Sequence, residues 1–525
     1  MVPQLSALKT KPTISSLGFA LFLAVNATAV WGGVFPFLPL SIQTESFTTA
    51  FFLAQSLIFA LSYLASTLGV YFFPDPARRF LVWAAGVPYF LGWCALIGAA
   101  YLKAFALPLA VAGGVFIGVG SAGFYMAWQR LFASQKPSVG NRDMIVGTFL
   151  APIIYFALYL IPIAVTVFLI PLVFMPLFAL SIVLTSRTVN LDQPMFRDVP
   201  REHPSVYRQA LADYWRSAFS IGAFALSCGV MRALAVETPE VGALVNLLSM
   251  GSMLVAAGAL MLTWQLKSLR INISLAFRVL FPFVISAFLL LPVFGNGFLA
   301  PFTGALYAIY NCAIILMMIQ CAQASRDRGI NPVFIYGFFA GIVYMLHDLG
   351  YLSGMLVIDL NVFGPQPFTA IALFTVYLLA IMYFVGQGGF KQALSPNRAR
   401  AEHIELIPTA ATPATRHRAS ASVDAAPGEE APQKEFRDRL SKQCAMVKKH
   451  YKLSDREAEI MEMMARGDTV PRLAQKLMVS ENTVRTHTKR IYTKLDIHKK
   501  QEMLDLLSSF NPRALHEEGK SDEGA

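Results

Sequence analysis

The stretch SENTVRTHTKRIYTKL, residues 480–495, separates into two unlike faces when it is wound as a helix. At ~100° per residue, Ile491 and Leu495 fall within about 20° of Val484 and form a narrow apolar seam. On the far side lie Arg485, Thr486, Lys489, Arg490 and Thr493, while acidic residues occur only at the ends, Glu481 and Asp496. Arg and Lys can donate to guanine edges or to phosphates, and hydroxyls suit either. A charged face is commonly just a solvated one. Here the charge has a single sign, and that favours a polyanionic partner, double-stranded DNA.

The flanking sequence supports the same small domain. LSDREAEIMEMMARG (453–467) offers Ser454 as N-cap with Glu457 three residues on, a capping box, and Gly467 as a stop. In DTVPRLAQKLMV (468–479), Thr469 caps a short second helix, Pro471 sits in its first turn, and Leu473, Ala474 and Leu477 face inward. Ser480 caps the third helix, and HKKQEMLDLLSSF (498–510) forms a fourth. A small four-helix unit over 436–510 is expected, followed by a disordered tail at 511–525.

These segments resemble the LuxR-type helix-turn-helix domain over about 440–508. The matching positions run from Leu453, Arg456, Glu457 and Gly467 through Leu473, Ala474, Leu477 and Ser480. They continue with Thr483, Val484, His487, Ile491, Tyr492, Lys494 and Leu495. The resemblance implies that the third helix reads DNA. Base edges would then fall to Arg485, Thr486 and Lys489, and phosphates to Thr483 and Lys494, with Arg490 on the same face. His487, at the edge of the seam, takes a structural role. The fourth helix commonly supports dimerisation in that family, which points to Met503, Leu504 and Leu507 and to a homodimer on DNA. Two departures stand out: Leu473 replaces the usual isoleucine, and HKKQEM replaces a more typical arginine-bearing turn.

Upstream the chain changes character. Of 525 residues 55% are hydrophobic and only 14% charged, and the net charge is +11. The last 135 residues hold 24 Lys+Arg and 20 Asp+Glu against 19 and 12 in the first 390. A soluble domain carries about 25% charged residues, so residues 1–387 read as a polytopic membrane domain. Twelve apolar stretches are expected to span: 14–36, 47–73, 80–99, 104–127, 144–162, 163–185, 218–236, 240–264, 272–292, 297–321, 332–354 and 366–387. The weakest boundary is 161–172, with Pro162 and Pro171. Residues 388–435, rich in Ala, Pro, Ser and Thr, read as a flexible linker. The fold class expected is all-α: a membrane bundle of about twelve helices joined to the small helical domain.

Basic residues fix an expected orientation, because they collect in cytoplasmic loops. With Lys9 and Lys11 inside, the inner loops also hold Arg78 and Arg79; Arg130, Lys136 and Arg142; and Arg187, Arg197, Arg201, Arg208 and Arg216. Lys267, Arg270, Arg278, Arg326 and Arg328 follow on that side, and only Lys103 and Arg232 fall outward. Both termini are therefore expected in the cytoplasm, with the bundle in the inner (cytoplasmic) membrane. LGFALFLAV followed by ATA resembles a cleavable leader, but apolar sequence continues to Phe35 and suits an uncleaved first span.

Twelve spans and a long basic loop at 186–217 resemble the major facilitator superfamily, two six-helix halves about a central cavity. Its loop signature after the second span is only partly kept: GVYFFPDPARR retains Asp75, Arg78 and Arg79 at altered spacing, and WQLKSLR lacks the pattern. Within the spans Asn26, Gln55, Asn246 and Asn311 read chiefly as interhelical glue. Arg232, His347 and Asp348 are costlier and fall at similar depth. They read either as a structural ion pair or as the ligand-sensing site for an unknown small molecule.

Five cysteines show no metal or disulfide spacing, and four lie in apolar runs. No catalytic nucleophile, metal cluster or phosphate loop points to an enzyme, and no cofactor is implied. The reading that joins both halves is a membrane-bound transcriptional regulator. A facilitator-type transporter with a regulatory tail, and a tail serving only for protein interaction, stay open beside it.

Overall fold

The computed structural model describes residues 11–386, the segment 403–406 and residues 439–509. Breaks fall at 31–34, 75–80, 190–192, 198–199, 203, 238, 267–268, 295, 360–366, 467, 469, 471–472, 475–476 and 478–479. The motif residues Asp75, Arg78 and Arg79, the cap and stop residues Gly467, Thr469 and Pro471, the tail 511–525 and most of the linker lie outside the described residues.

The first half of the bundle comprises α1 (Ile14–Val30), α2 (Glu45–Phe72), α3 (Leu81–Tyr101), α4 (Ala106–Ser134), α5 (Pro137–Leu158) and α6 (Ile163–Thr188). The second comprises α7 (Pro204–Glu237), α8 (Pro239–Leu266), α9 (Ile273–Phe294), α10 (Asn296–Arg328), α11 (Pro332–Asp359) and α12 (Pro367–Gly386). Among the described residues seven of these helices are long and apolar enough to cross a membrane, and three more apolar helices are shorter, fewer than the twelve spans expected. The suspect 161–172 region resolves simply: α5 ends at Leu158, Pro162 caps α6, and Pro171 lies inside α6 in a π-helical segment, Ile170–Phe174. A π turn absorbs the missing N–H without ending the helix.

Helix pairings in the first half recur six helices later. α1 packs on α5 and α6 as α7 packs on α11 and α12; α4 packs on α2 and α3 as α10 packs on α8 and α9. The halves join through α2 against α11 and, equivalently, α8 against α5. Close approach rests on small residues. A Cβ at Gly229 of α7 would collide with the His347 carbonyl of α11, and one at Gly350 of α11 would collide with the Leu226 carbonyl. Outward faces carry large apolar side chains in the open, among them Trp83, Phe283 and Val293. A bilayer covers such a surface without cost, whereas water does not.

Basic residues stitch one end of this bundle. Arg130 lies over Phe196 and Arg201 over Phe72, Arg326 donates to the Phe132 carbonyl, and Arg328 pairs with Asp213. Guanidinium planes there join elements that are distant in sequence.

The expected all-α class holds apart from one pair of short strands, and through it the linker is not wholly without structure: β1 (Leu269–Asn272) pairs antiparallel with β2 (His403–Leu406), Leu269 opposite Leu406 and Asn272 opposite His403. Backbone pairing needs no hydrophobic signature, so composition gave no hint of it. The C-terminal unit also has a helix more than the four expected. It contains α13 (Arg439–His450), α14 (Asp455–Ala465), a helical stretch including Val470, Leu473 and Ala474, α15 (Glu481–Leu495) and α16 (Lys500–Ser509). α13 was legible in principle, since Leu440, Cys444 and Val447 recur at helical spacing, but four cationic residues dilute it. Cys444 and Val447 enter the core of this unit with Ile460, Met461, Val484 and Ile491. That core is separate from the one in the bundle.

Candidate nucleic-acid interface and buried polar cavity

The recognition face is built from its caps outward. Ser454 accepts from the Glu457 N–H while Glu457 Oε2 accepts from the Ser454 N–H at 2.8 Å, completing the capping box of α14. Arg456 donates through a guanidinium nitrogen to the Leu477 carbonyl at 3.0 Å, tying α14 to the segment that precedes α15. Ser480 then caps α15 by accepting from Thr483 N–H at 3.1 Å. Val484, Ile491 and Leu495 are fully or nearly fully buried, so the apolar seam locks the rotation of α15. The opposite face is thereby turned outward.

On that face Thr483, Arg485, Thr486, Lys489, Arg490 and Thr493 are all exposed. Arg485 touches Glu481 at 3.6 Å across one turn, an open pair of little energetic weight. The hydroxyls of Thr486 and Thr493 donate to the carbonyls four residues back, Asn482 and Lys489. Arg485 and Lys489 also line a concave surface of about 530 Å³ together with Tyr492, Asp496 and His498. Sequence reading passed over Tyr492 and His498 as site residues. The i, i+4, i+7 spacing of 485, 489 and 492 was the available signal.

Two expected roles move. Lys494 is engaged within the domain: its ammonium donates to Glu457 Oε2 at 2.7 Å. Burial pushes the Glu457 carboxyl up, but the Lys494 ammonium and the Ser454 donors outweigh it and hold it below the usual carboxylate range. Replacing Lys494 by alanine should cost about 1 kcal/mol of domain stability, the usual net value of a hydrogen bond. A depressed carboxylate stabilises above its ordinary range, about 4.3 for Glu, and that contribution fades as pH falls through its lowered value. The difference in thermal midpoint between wild type and Lys494→Ala should therefore be largest near pH 7 and close under acid. A gap that does not change with pH would contradict the pairing.

The dimer residues also stand elsewhere. Met503 and Leu507 are buried in the core of a single copy, and Leu504 is half-buried against it. Met503 and Leu507 are therefore not available as an open seam between copies, contrary to the dimerising role expected of them. The separate α13 adds a neighbour to α16, and the side chains read as a dimer seam are covered within the chain. The described outward-facing positions of α16 are instead charged, Lys500, Glu502 and Asp505.

In the bundle, Arg232 of α7 and His347 and Asp348 of α11 meet at one cavity of about 40 Å³, as the sequence depth suggested. The Gly229 and Gly350 contacts bring these two helices together there. Arg232 is not joined to Asp348 by an ion pair among the described residues. Its guanidinium donates to Gln55 Oε1 at 3.2 Å and lies over the Phe52 ring at 4.8 Å. Asp348 Oδ1 lies 3.3 Å from His347 Nδ1. Gln55, expected as glue, is thus part of the cavity. Asn26 and Asn311 do act as glue: Asn26 accepts from Ser121 at 2.6 Å, and Asn311 donates to the Ser249 carbonyl at 3.1 Å.

Comparison with known proteins agrees with this division. Residues 451–507 match the family described as "Bacterial regulatory proteins, luxR family". The chain is 42% identical over 53 residues to a Pseudomonas aeruginosa protein named "Putative transcriptional regulator", covering 10% of this chain and 26% of that one. It is 34% identical over 71 residues to the uncharacterized response regulatory protein YgeK of Escherichia coli, covering 13% and 48%. The chain thus spans about a quarter and about half the length of these curated relatives. The bundle superposes on the crystal structure of a bacterial homologue of the iron transporter ferroportin in its outward-facing state. There the TM-score is 0.50 and the identity 13%, over 72% of this chain and 100% of the other. The likeness of the helix bundle to that transporter homologue is one of fold alone, while residues 451–507 form a LuxR-type helix-turn-helix domain.

Proposed function

We propose that this chain is a membrane-anchored transcription regulator that reads double-stranded DNA with α15 and responds to a small molecule held in the cavity between the two halves of the bundle. The observation that carries the reading is the exposed, one-signed face of α15 on a domain with its own core, in the same chain as a polytopic bundle. Arg485, Thr486 and Lys489 read base edges in the major groove, and Thr483 and Arg490 contact phosphates. Lys494 positions α15 through Glu457. The domain lies on the cytoplasmic side of the inner membrane, with the basic end of the bundle facing it. Two copies occupy half-sites about 34 Å apart, joined through surfaces other than Met503 and Leu507. The cavity lies where α2 of one half meets α7, α10 and α11 of the other, so a ligand binding one arrangement of the halves more tightly shifts their balance.

Crosslinked DNA recovered with the full chain from a washed membrane fraction tests the reading. A discrete set of sites, each with two half-sites, is expected. DNA recovered uniformly across the genome, or none, would count against it.

A further inference from the structure

Among the described residues, four around the cavity keep a polar side-chain atom without a hydrogen-bond partner although each is nine-tenths or more buried. They are Gln55 Nε2 (0% exposed), Ser56 Oγ (4%), Arg232 Nε (3%) and Asp348 Oδ2 (7%). Groups left this way inside a bilayer cost free energy until something satisfies them. Their chemistry specifies what would. Gln55 Oε1 is already taken by the Arg232 guanidinium, so the Gln55 amide turns its N–H₂ outward as a donor. Arg232 Nε is a second donor. Asp348 Oδ2 can only accept when ionised, and Ser56 can do either.

We infer that the cavity binds a small zwitterionic amino acid, its carboxylate on Arg232 Nε and Gln55 Nε2 and its ammonium on Asp348 Oδ2 and Ser56 Oγ. This rests on the proposal that the bundle senses a small molecule, and names the class. Charge selects the class over a simple acid or amine. Arg232 and Asp348 together are formally neutral, so a zwitterion adds no net charge to a low-dielectric interior, whereas a lone carboxylate or ammonium does. Size narrows it further. A buried water needs roughly 10–15 Å³ of such space, so the 40 Å³ cavity holds about three waters, which occupy about 90 Å³ of liquid. That suits glycine or alanine, and Phe59, Tyr307 and Tyr344 supply aromatic walls for a short side chain.

Equilibrium dialysis of the purified full chain in detergent with radiolabelled glycine and L-alanine tests the inference. Saturable binding is expected, with acetate and methylammonium each competing at least ~10-fold more weakly than the unlabelled amino acid. Arg232→Gln and Asp348→Asn should each lose binding. Should either variant fail to fold, Ser56→Ala, a small change, should still weaken binding several-fold. Acetate competing as well as glycine would overturn the zwitterion and leave a carboxylate site. Amino-acid binding unaffected by all three variants would place it outside this cavity, and no saturable binding of either amino acid would overturn the inference.

Discussion

Replacing Lys489 by alanine should weaken binding to a specific operator about 5- to 150-fold, the equivalent of roughly 1–3 kcal/mol for a base contact. Lys489 is exposed on the outward face of α15 and, among the described residues, lacks an ion pair like the one that engages Lys494. Its removal should leave the fold intact, because the seam of Val484, Ile491 and Leu495 is untouched. Discrimination between operator and random DNA should fall by nearly the same factor. Competition binding of both DNAs to wild type and variant measures this. An equal loss on both would move Lys489 to a phosphate role, and no loss on either would remove it from the interface.

Leu507→Asp should unfold the C-terminal domain outright. Leu507 is 1% exposed in a core shared with Val447, Ile460 and Met503. Deleting a buried leucine side chain costs about 2–5 kcal/mol, and an unpaired carboxylate there adds a desolvation penalty. A unit below about 70–80 residues rarely has more than 3–5 kcal/mol to lose. Circular dichroism of residues 434–513 should show the helical signal gone at 25 °C. A folded, helical Leu507→Asp domain that has lost only its pairing would restore the dimer reading of this residue.

How far the sequence carried the structure depended on whether a feature was local. The seam and outward face of α15 follow from angular position alone, and the capping box of α14 from residues three apart; both appear as expected. The helices of the bundle were legible from apolar length, and the common depth of Arg232 and Asp348 from counting along two spans. What escaped was partner choice. Arg232 turns to Gln55 on α2, 177 positions away, a partner that counting along α7 and α11 does not reveal. Met503 and Leu507 read as a seam between copies from the family resemblance, and α13, which shares their core, had its apolar spacing masked by cationic neighbours. The pairing of β1 with β2 uses backbone alone and leaves no trace in composition.

The central claim, that this chain ends in a working DNA-binding domain, is tested most directly by titrating salt against DNA binding of the 434–513 fragment. This fragment contains the separate core and carries 18 Lys+Arg against 11 Asp+Glu. Each neutralised phosphate contributes about −0.9 to the slope of log affinity against log salt. Arg490, the cation of the outward face of α15 assigned to phosphate, alone predicts about −0.9 per copy by that rule. A slope at least that steep, with an operator preferred over random DNA, is the expected result; a folded fragment with no salt-sensitive binding would contradict it.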